Sequence, residues 1–274
     1  MYYRLLFFLI WVLIFWFVGQ SLWPLLGLLG VFEDGGDPIK HAELPFRGSR
    51  QPNARPHVVP KIIHQVYIGE SVPERWLYPQ QTCIETHQDF EYMFWTNKLA
   101  REFLWDHYSW FLETWDGYKY DVQRADAIRY FVLYHYGGVY IDMDNGCIRN
   151  VEPLLAYPIW VRRDDWASHT VGISNDVMGA EKGHSFFKQA IYSLQKHDKD
   201  WILPYLTVMA STGPLFLAVM RAQWNTQKPA NEGRLRYLEA HEFARTKWSF
   251  FRKYQGQSWL GSDARLIMWV CITT

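Results

Sequence analysis

The 274-residue chain balances 28 Lys+Arg against 28 Asp+Glu, so it lacks the basic excess of a nucleic-acid-binding surface. Aromatic residues reach 18%, with 15 Trp and 17 Tyr, a surplus that suits sugar stacking, a membrane interface or a large core equally. The length allows one sizeable domain, alone or with appendages.

From Leu5 to Phe32 no residue is charged. A bilayer needs about 20 apolar residues, so residues 1–32 read as a cytoplasmic tip and a transmembrane anchor. A signal peptide is the alternative, but its apolar region normally runs ~7–15 residues, and no small-x-small cleavage site stands out. Arg4 precedes the span, whereas Glu33, Asp34 and Asp37 follow it. Positive charge stays cytoplasmic, which predicts a single-pass type II orientation with a lumenal body. Residues 33–59 are rich in glycine and proline and read as a flexible stem.

The body begins with "KIIHQVYIG" (61–69), an apolar run closed by Gly69 that predicts a buried strand. "FEYMFWT" (90–96) predicts a second strand, and Thr96 or Asn97 a cap for a helix through "KLAREFLWDH". "YDVQRADAIRYFVLYHYGG" has helical spacing with Gly137 as its stop, and a strand over 139–144 follows. Strand–helix–strand order predicts a layered α/β domain with a largely parallel sheet. Further on, "HSFFKQAIYSLQKHDKD" predicts an amphipathic helix, and "ASTGPLFLAVMRAQW" a glycine-proline turn entering another. The closing 265–274 holds an apolar run too short to span a membrane. It either packs on the body or marks an incomplete sequence. Three cysteines, Cys83, Cys147 and Cys271, make no disulfide framework, and spacing leaves a Cys83–Cys147 bridge open.

The chemistry concentrates in "GGVYIDMDNG" (137–146). Side chains alternate along a strand, so Tyr140, Asp142 and Asp144 share one face. A turn at Asn145-Gly146 would draw the two carboxylates together. Two such charges at the carboxyl end of a buried strand repel each other, and a hard divalent cation, Mg²⁺ or Mn²⁺, removes that cost. That end of a parallel sheet is also where open α/β folds bind ligands. Upstream, Asp126 and Arg129 are three residues apart and share a helix face. They make either an ordinary ion pair or a sugar-hydroxyl acceptor beside a cation. A phosphatase of the haloacid-dehalogenase type also uses Asp-x-Asp, but Gly146 stands where its motif carries Thr or Val, and here the motif comes deep in the body.

"VPKIIHQ" (59–65), "FWTN" (94–97), "RADAIRYFVLYHYGGVYIDMDNG" (124–146), "SNDVMGA" (174–180) and "STGPLF" (211–216) together resemble the inositol phosphoceramide mannosyltransferases of glycosyltransferase family 32. The resemblance spans roughly residues 59–264 and implies a GT-A, Rossmann-like catalytic domain over 60–264. It implies GDP-mannose as donor, Mn²⁺ or Mg²⁺, retention of configuration and a Golgi membrane location. The implied acceptor is inositol phosphoceramide; a protein glycan is the enzymatic alternative, and a regulatory membrane subunit is left open. Carried over, Asp144 ligates the metal, with Asp142 assisting through the metal or the donor ribose. Asp126 and Arg129 hold the transferred sugar. His64, Trp95 and Tyr140 line the nucleotide site. Asn175 and Asp176 lie near sugar and acceptor, Asp176 as an assisting or nucleophilic group. The closing segment "GQSWLGSDA" (256–264) keeps Ser258 and Trp259 but has Leu260 where the family often has histidine. That departure motivates a rival expectation, a catalytically silent partner that binds sugar nucleotide.

Overall fold

The computed structural model describes residues 37–44, 55–164, 172–201, 203–228, 232–239, 242 and 249–256, with single positions at 7, 11 and 12. The expected anchor and the 265–274 tail therefore lie outside the described residues, apart from those three positions.

β1 (Asp37–Pro38), β8 (Arg236–Leu238), β6 (Ile159–Asp164), β7 (Gly172–Ala180), β4 (Gly138–Ile141), β2 (Ile62–Tyr67) and β3 (Glu91–Thr96) form a seven-stranded sheet in that order. β7 runs antiparallel to β4 and β6, and the other pairings are parallel. The predicted α/β class with a parallel-rich sheet is borne out, with one reversed strand. A second, two-stranded sheet pairs β5 (Asn145–Cys147) with β9 (Phe251–Lys253).

Seven helices flank the sheet among the described residues: α1 (Glu74–Thr86), α2 (Asn97–His107), α3 (Leu112–Gly117), α4 (Asp121–Tyr136), α5 (Ser185–His197), α6 (Pro204–Ser211) and α7 (Pro214–Gln227). Alternation along β4 sends Tyr140 into the core beneath α2, α4, α5 and α7, and Val139 and Ile141 into the opposite core, which includes Cys83, Cys147 and Leu154. Helix α2 starts where the sequence put it: Thr96 Oγ1 accepts from Leu99 N at 3.3 Å, satisfying one free amide of the first turn. Helix α4 stops at Gly137, with φ of 72°, a conformation glycine adopts without steric cost. Gly138 follows with φ of 100°, and a Cβ there would meet Ile62 O at 2.7 Å. The Gly-Gly pair thus lets the chain turn straight from helix into a central strand.

Four features differ from expectation or were not foreseen. α1 was not predicted; Pro79 lies in its interior, where proline ordinarily breaks a helix. Tertiary links hold it: the Cys83–Cys147 disulfide, Cys147 N donating to Thr82 Oγ1 at 3.0 Å and Trp76 Nε1 donating to Gln255 O at 3.0 Å. Part of the expected stem packs on the body. Ile39 and Leu44 are buried, Ile39 N donates to Tyr237 O at 2.8 Å, and Arg236 pairs with Glu43 at 2.8 Å. Third, β4 ends at Ile141, and Asn145 N donates to Asp142 O at 3.0 Å. The turn therefore spans Asp142–Asn145, earlier than predicted, because Asn145-Gly146-Cys147 is claimed as a strand by distant β9. Finally, Pro204–Gln227 is apolar and long enough to cross a bilayer, at 24 residues. It breaks at Thr212-Gly213 into α6 and α7, and more than half of its most apolar stretch is buried in the body.

Candidate active site

The site forms where α4, the turn after β4, β7 and β9 meet. α4 brings Asp126 and Arg129 to one face, as their spacing predicted, and their side chains touch at 2.9 Å. Both are buried. Asp126 also accepts from Asn175 Nδ2 at 3.0 Å and from Thr212 Oγ1 at 3.3 Å. Arg129 donates to Asn175 O at 2.7 Å and Ala125 O at 3.1 Å, lies 3.3 Å from Asp142, and stacks over the Tyr140 ring at 4.4 Å. Burial pulls the Asp126 carboxyl up, while the adjacent Arg129 charge pulls it down.

Asp142 leaves the strand with its backbone N–H donating to Asp176 O at 2.8 Å. Its carboxylate accepts from Tyr140 OH at 2.5 Å. Tyr140 thus sits on the predicted face and orients Asp142. Asp144 occupies the turn. It is 8% exposed, and its Oδ1 is buried without a hydrogen-bond partner. Burial, and then the Asp142 charge, push its carboxyl up to about 7. The next strand crosses closely: Tyr254 N donates to Asp144 O at 2.8 Å, and a Cβ at Gly256 would collide with Asp144 Oδ2.

β7 supplies Asn175 and Asp176 on successive, oppositely directed positions. Asp176 Oδ2 accepts from Arg162 Nη1 at 2.5 Å, Lys253 Nζ at 3.2 Å and Asn145 Nδ2 at 3.3 Å. Burial alone would raise its carboxyl, but Arg162 and then Lys253 hold it well below the usual range. At Lys253 burial lowers the ammonium, but the Asp176 and then the Asp144 charges outweigh it and raise it.

His64 lies opposite Tyr140 in the β2–β4 pairing, and it and Trp95 hydrogen-bond to each other rather than to these carboxylates. Trp95 Nε1 donates to His64 Nδ1 at 3.2 Å, so the other ring nitrogen, Nε2–H, donates to Gly137 O at 2.8 Å. Both ring nitrogens are thereby used, and burial lowers the imidazole to about 4, so the neutral ring anchors the Gly-Gly turn. Ser258, Trp259 and Leu260 lie outside the described residues. Sequence reasoning missed Arg162, Lys253, Asn145 and Thr212. Arg162 is signalled only weakly, as a charge interrupting the apolar start of β6; Lys253 carries no local signal. The apolar cavity behind α1, lined by Ile84, His87 and Phe90 among others, includes none of the carboxylates.

The arrangement fits a divalent cation. Asp142 and Asp144 are hard oxygen donors at one turn, and a buried carboxylate oxygen with no partner is costly unless something binds it. Among the described residues no three His, Cys, Asp or Glu side chains form a metal-binding group. A cation at this turn would have Asp142 and Asp144 as its protein ligands.

The glycosyltransferase sugar-binding region containing a DXD motif matches residues 73–160, which include Asp126, Arg129, Asp142 and Asp144. Mannosyl phosphorylinositol ceramide synthase SUR1 of Saccharomyces cerevisiae is 44% identical over 231 residues, 84% of this chain and 59% of that protein. Inositol phosphoceramide mannosyltransferase 2 of Schizosaccharomyces pombe is 47% identical over 215 residues, 77% of this chain and 61% of that protein. The chain thus spans about three-fifths of the length of these curated relatives. A solved structure, PaToxG glycosyltransferase, aligns over 61% of this chain and 70% of its own, at 15% identity and a TM-score of 0.43, too distant to inform the site. The resemblance read from the motifs is borne out: the chain is a relative of the inositol phosphoceramide mannosyltransferases and carries the DXD-containing sugar-binding region of glycosyltransferases.

Proposed function

We propose that the chain is a metal-dependent, retaining mannosyltransferase that moves mannose from GDP-mannose to inositol phosphoceramide. It acts at the Golgi membrane with a GT-A catalytic body on the lumenal side of a type II anchor. One observation carries this reading. The Asp142–Asp144 turn leaves a buried carboxylate oxygen without a partner, at the carboxyl end of a central strand and inside the matched sugar-binding region. The named activities of the relatives supply the donor sugar and the lipid acceptor.

Asp142 and Asp144 would hold Mn²⁺ or Mg²⁺, which, when bound, offsets charge on a departing diphosphate. The remaining roles belong to the chain itself. Tyr140 and Arg129 fix the Asp142 carboxylate from two sides. Arg129, locked by Asp126 and Asn175, presents a fixed positive charge beneath the site at no cost of reorganisation during reaction. Asp176 serves poorly as a nucleophile, because two cations share its Oδ2 and hold it ionised. A carboxylate so paired is a weak base and a weak nucleophile. Its geometry suits it to positioning those cations.

The test uses detergent-solubilised protein, inositol phosphoceramide and Mn²⁺, with GDP-mannose, UDP-glucose and UDP-galactose in separate reactions, read by lipid mass spectrometry. A hexose-shifted lipid with GDP-mannose alone, lost on chelation, is the expected result. Slow hydrolysis of GDP-mannose with no shifted lipid would leave the donor assignment standing and overturn the acceptor.

A further inference from the structure

We propose that the opening turns of α1, with Leu77 and Tyr78 facing outward, are the surface that seats the catalytic body on the lipid bilayer holding its acceptor. The class of partner rests on the function proposed above; the place of the surface rests on the fold.

Topology puts these turns at the mouth of the site. β2 and β3 are parallel neighbours, so α1 between them runs back against the strand direction. The start of α1 therefore lies at the carboxyl edge of the sheet. β4 is parallel to β2 and opens into the Asp142–Asp144 turn at that same edge. Local contacts agree. The Tyr78 ring meets the Tyr254 ring edge-on at 5.9 Å, and Tyr254 N donates to Asp144 O at 2.8 Å. One ring contact and one backbone bond link the outer face of α1 to the Asp144 turn.

The chemistry of that face suits a membrane interface. α1 buries Trp76, Pro79 and Cys83 against the body, whereas Leu77 and Tyr78 are 48% and 65% exposed. Leucine gains by leaving water, and tyrosine sets an apolar ring with a polar tip at headgroup level. The exposed charges alongside are mixed, Glu74 with Arg75 and Arg252, so apolar contact is the main attraction. The surface is also pre-formed. The Cys83–Cys147 bridge and the Trp76 Nε1 bond to Gln255 O at 3.0 Å fix α1 to the body, so docking orders no loop.

The acceptor supplies the occupant. A ceramide keeps its chains in the bilayer, because each methylene withdrawn meets water. The body must therefore come down to the headgroup, and residues beside the turn reach the interface first. Trp105 supplies the contrast. It is 64% exposed but lies near the far end of α2, whose His107 ring is 4.5 Å from that of His135. That is the end of α4 from which β4 starts, at the opposite edge of the sheet from the site.

The experiment uses the full-length chain in nanodiscs of phosphatidylcholine and inositol phosphoceramide. Leu77→Cys and Trp105→Cys, each in a Cys271→Ser background with Cys83 and Cys147 bridged, carry a nitroxide. Electron paramagnetic resonance reads its access to oxygen and to a water-soluble nickel chelate. The label at 77 should be open to oxygen and lose access to nickel, while the label at 105 keeps it. Equal nickel access at the two positions would overturn the surface. So would shielding of the label at 77 from both reagents, which reports a protein partner or a second copy there. In vesicles, Leu77→Ser combined with Tyr78→Ser should raise KM for inositol phosphoceramide about tenfold and leave KM for GDP-mannose within about twofold. Thermal melting checks that the double variant folds; Leu77→Ser alone replaces it otherwise. An unchanged lipid KM in the folded variant would overturn the surface as well. A wild type that makes no mannosylated lipid refutes the functional reading, and the nitroxide comparison then decides the surface by itself.

Discussion

Asp126 and Asp144 are both buried carboxylates within one site, and they are treated oppositely. Asp126 uses both oxygens on Arg129, Asn175 and Thr212, and Arg129 uses all three guanidinium nitrogens. Asp144 keeps a buried oxygen with no partner, as do its neighbours Asn145 and Asp176. The first cluster is complete in itself, and its buried charges are satisfied by protein. The second is complete only with something added. Completed buried networks fix a structure, whereas orphaned acceptors clustered at one turn mark where a ligand supplies the missing contacts. On the proposed reading, the helix side of the site is scaffold for orientation and the turn side the binding surface.

The largest effect that sharpens this contrast should come from Arg129→Ala. It leaves buried Asp126 and half-buried Asp142 without their cation, and should destabilise the fold by about 3–5 kcal/mol in denaturant unfolding. A loss under 1 kcal/mol would break the view of the first cluster as scaffold. Next comes the Cys83–Cys147 bridge, which ties α1 to β5 two residues beyond Asn145. Replacing both cysteines with serine should cost about 2–4 kcal/mol and weaken Mn²⁺ binding, since the turn loses its tether; unchanged Mn²⁺ affinity would show that the turn is held without it.

Asp144→Asn should abolish turnover yet stabilise the metal-free fold at pH 7. The sign follows from its raised pKa. A carboxyl at about 7 when folded, against its ordinary 3.8, keeps a proton that the unfolded chain has lost. Its contribution to stability is thus intact below pH 4 and declines as pH rises to 7. Buried His64 and His184, both lowered to about 4, act in the opposite direction, gaining stability from about pH 4 to 6.5. The informative quantity is therefore the difference between variant and wild type, which should grow from pH 4 to 7 and vanish when Mn²⁺ is added. A difference independent of pH would contradict the placement of Asp144. The smallest effect lies outside both clusters: Thr96→Ala removes the α2 cap and should cost about 0.5–1 kcal/mol with no change in turnover per folded molecule.

The contrast also tracks what could be read without coordinates. Asp126 and Arg129 were placed together by helical spacing, and Tyr140 with Asp142 by strand alternation; the seam from α4 through Gly137 to β4 followed from local pattern. Those relations span a few residues, and period decides them. The turn at Asp142–Asn145 was misplaced because β5 exists only through pairing with β9, more than a hundred residues away. Lys253 is invisible, and Arg162 only weakly signalled, for the same reason: nothing near either residue announces a carboxylate that arrives from β7. His64 and Trp95 show the converse. Their motif context points toward nucleotide, and the hydrogen bonds that occupy both His64 ring nitrogens are not legible in it.

The central claim is that the Asp142–Asp144 turn holds a divalent cation. Titration of Mn²⁺ into wild type and Asp144→Asn, with GDP present and free Mn²⁺ followed by electron paramagnetic resonance, tests it most directly. The account predicts one saturable Mn²⁺ site in the wild type and its loss in the variant, with the fold intact by circular dichroism. Equal Mn²⁺ binding by the two proteins would contradict it.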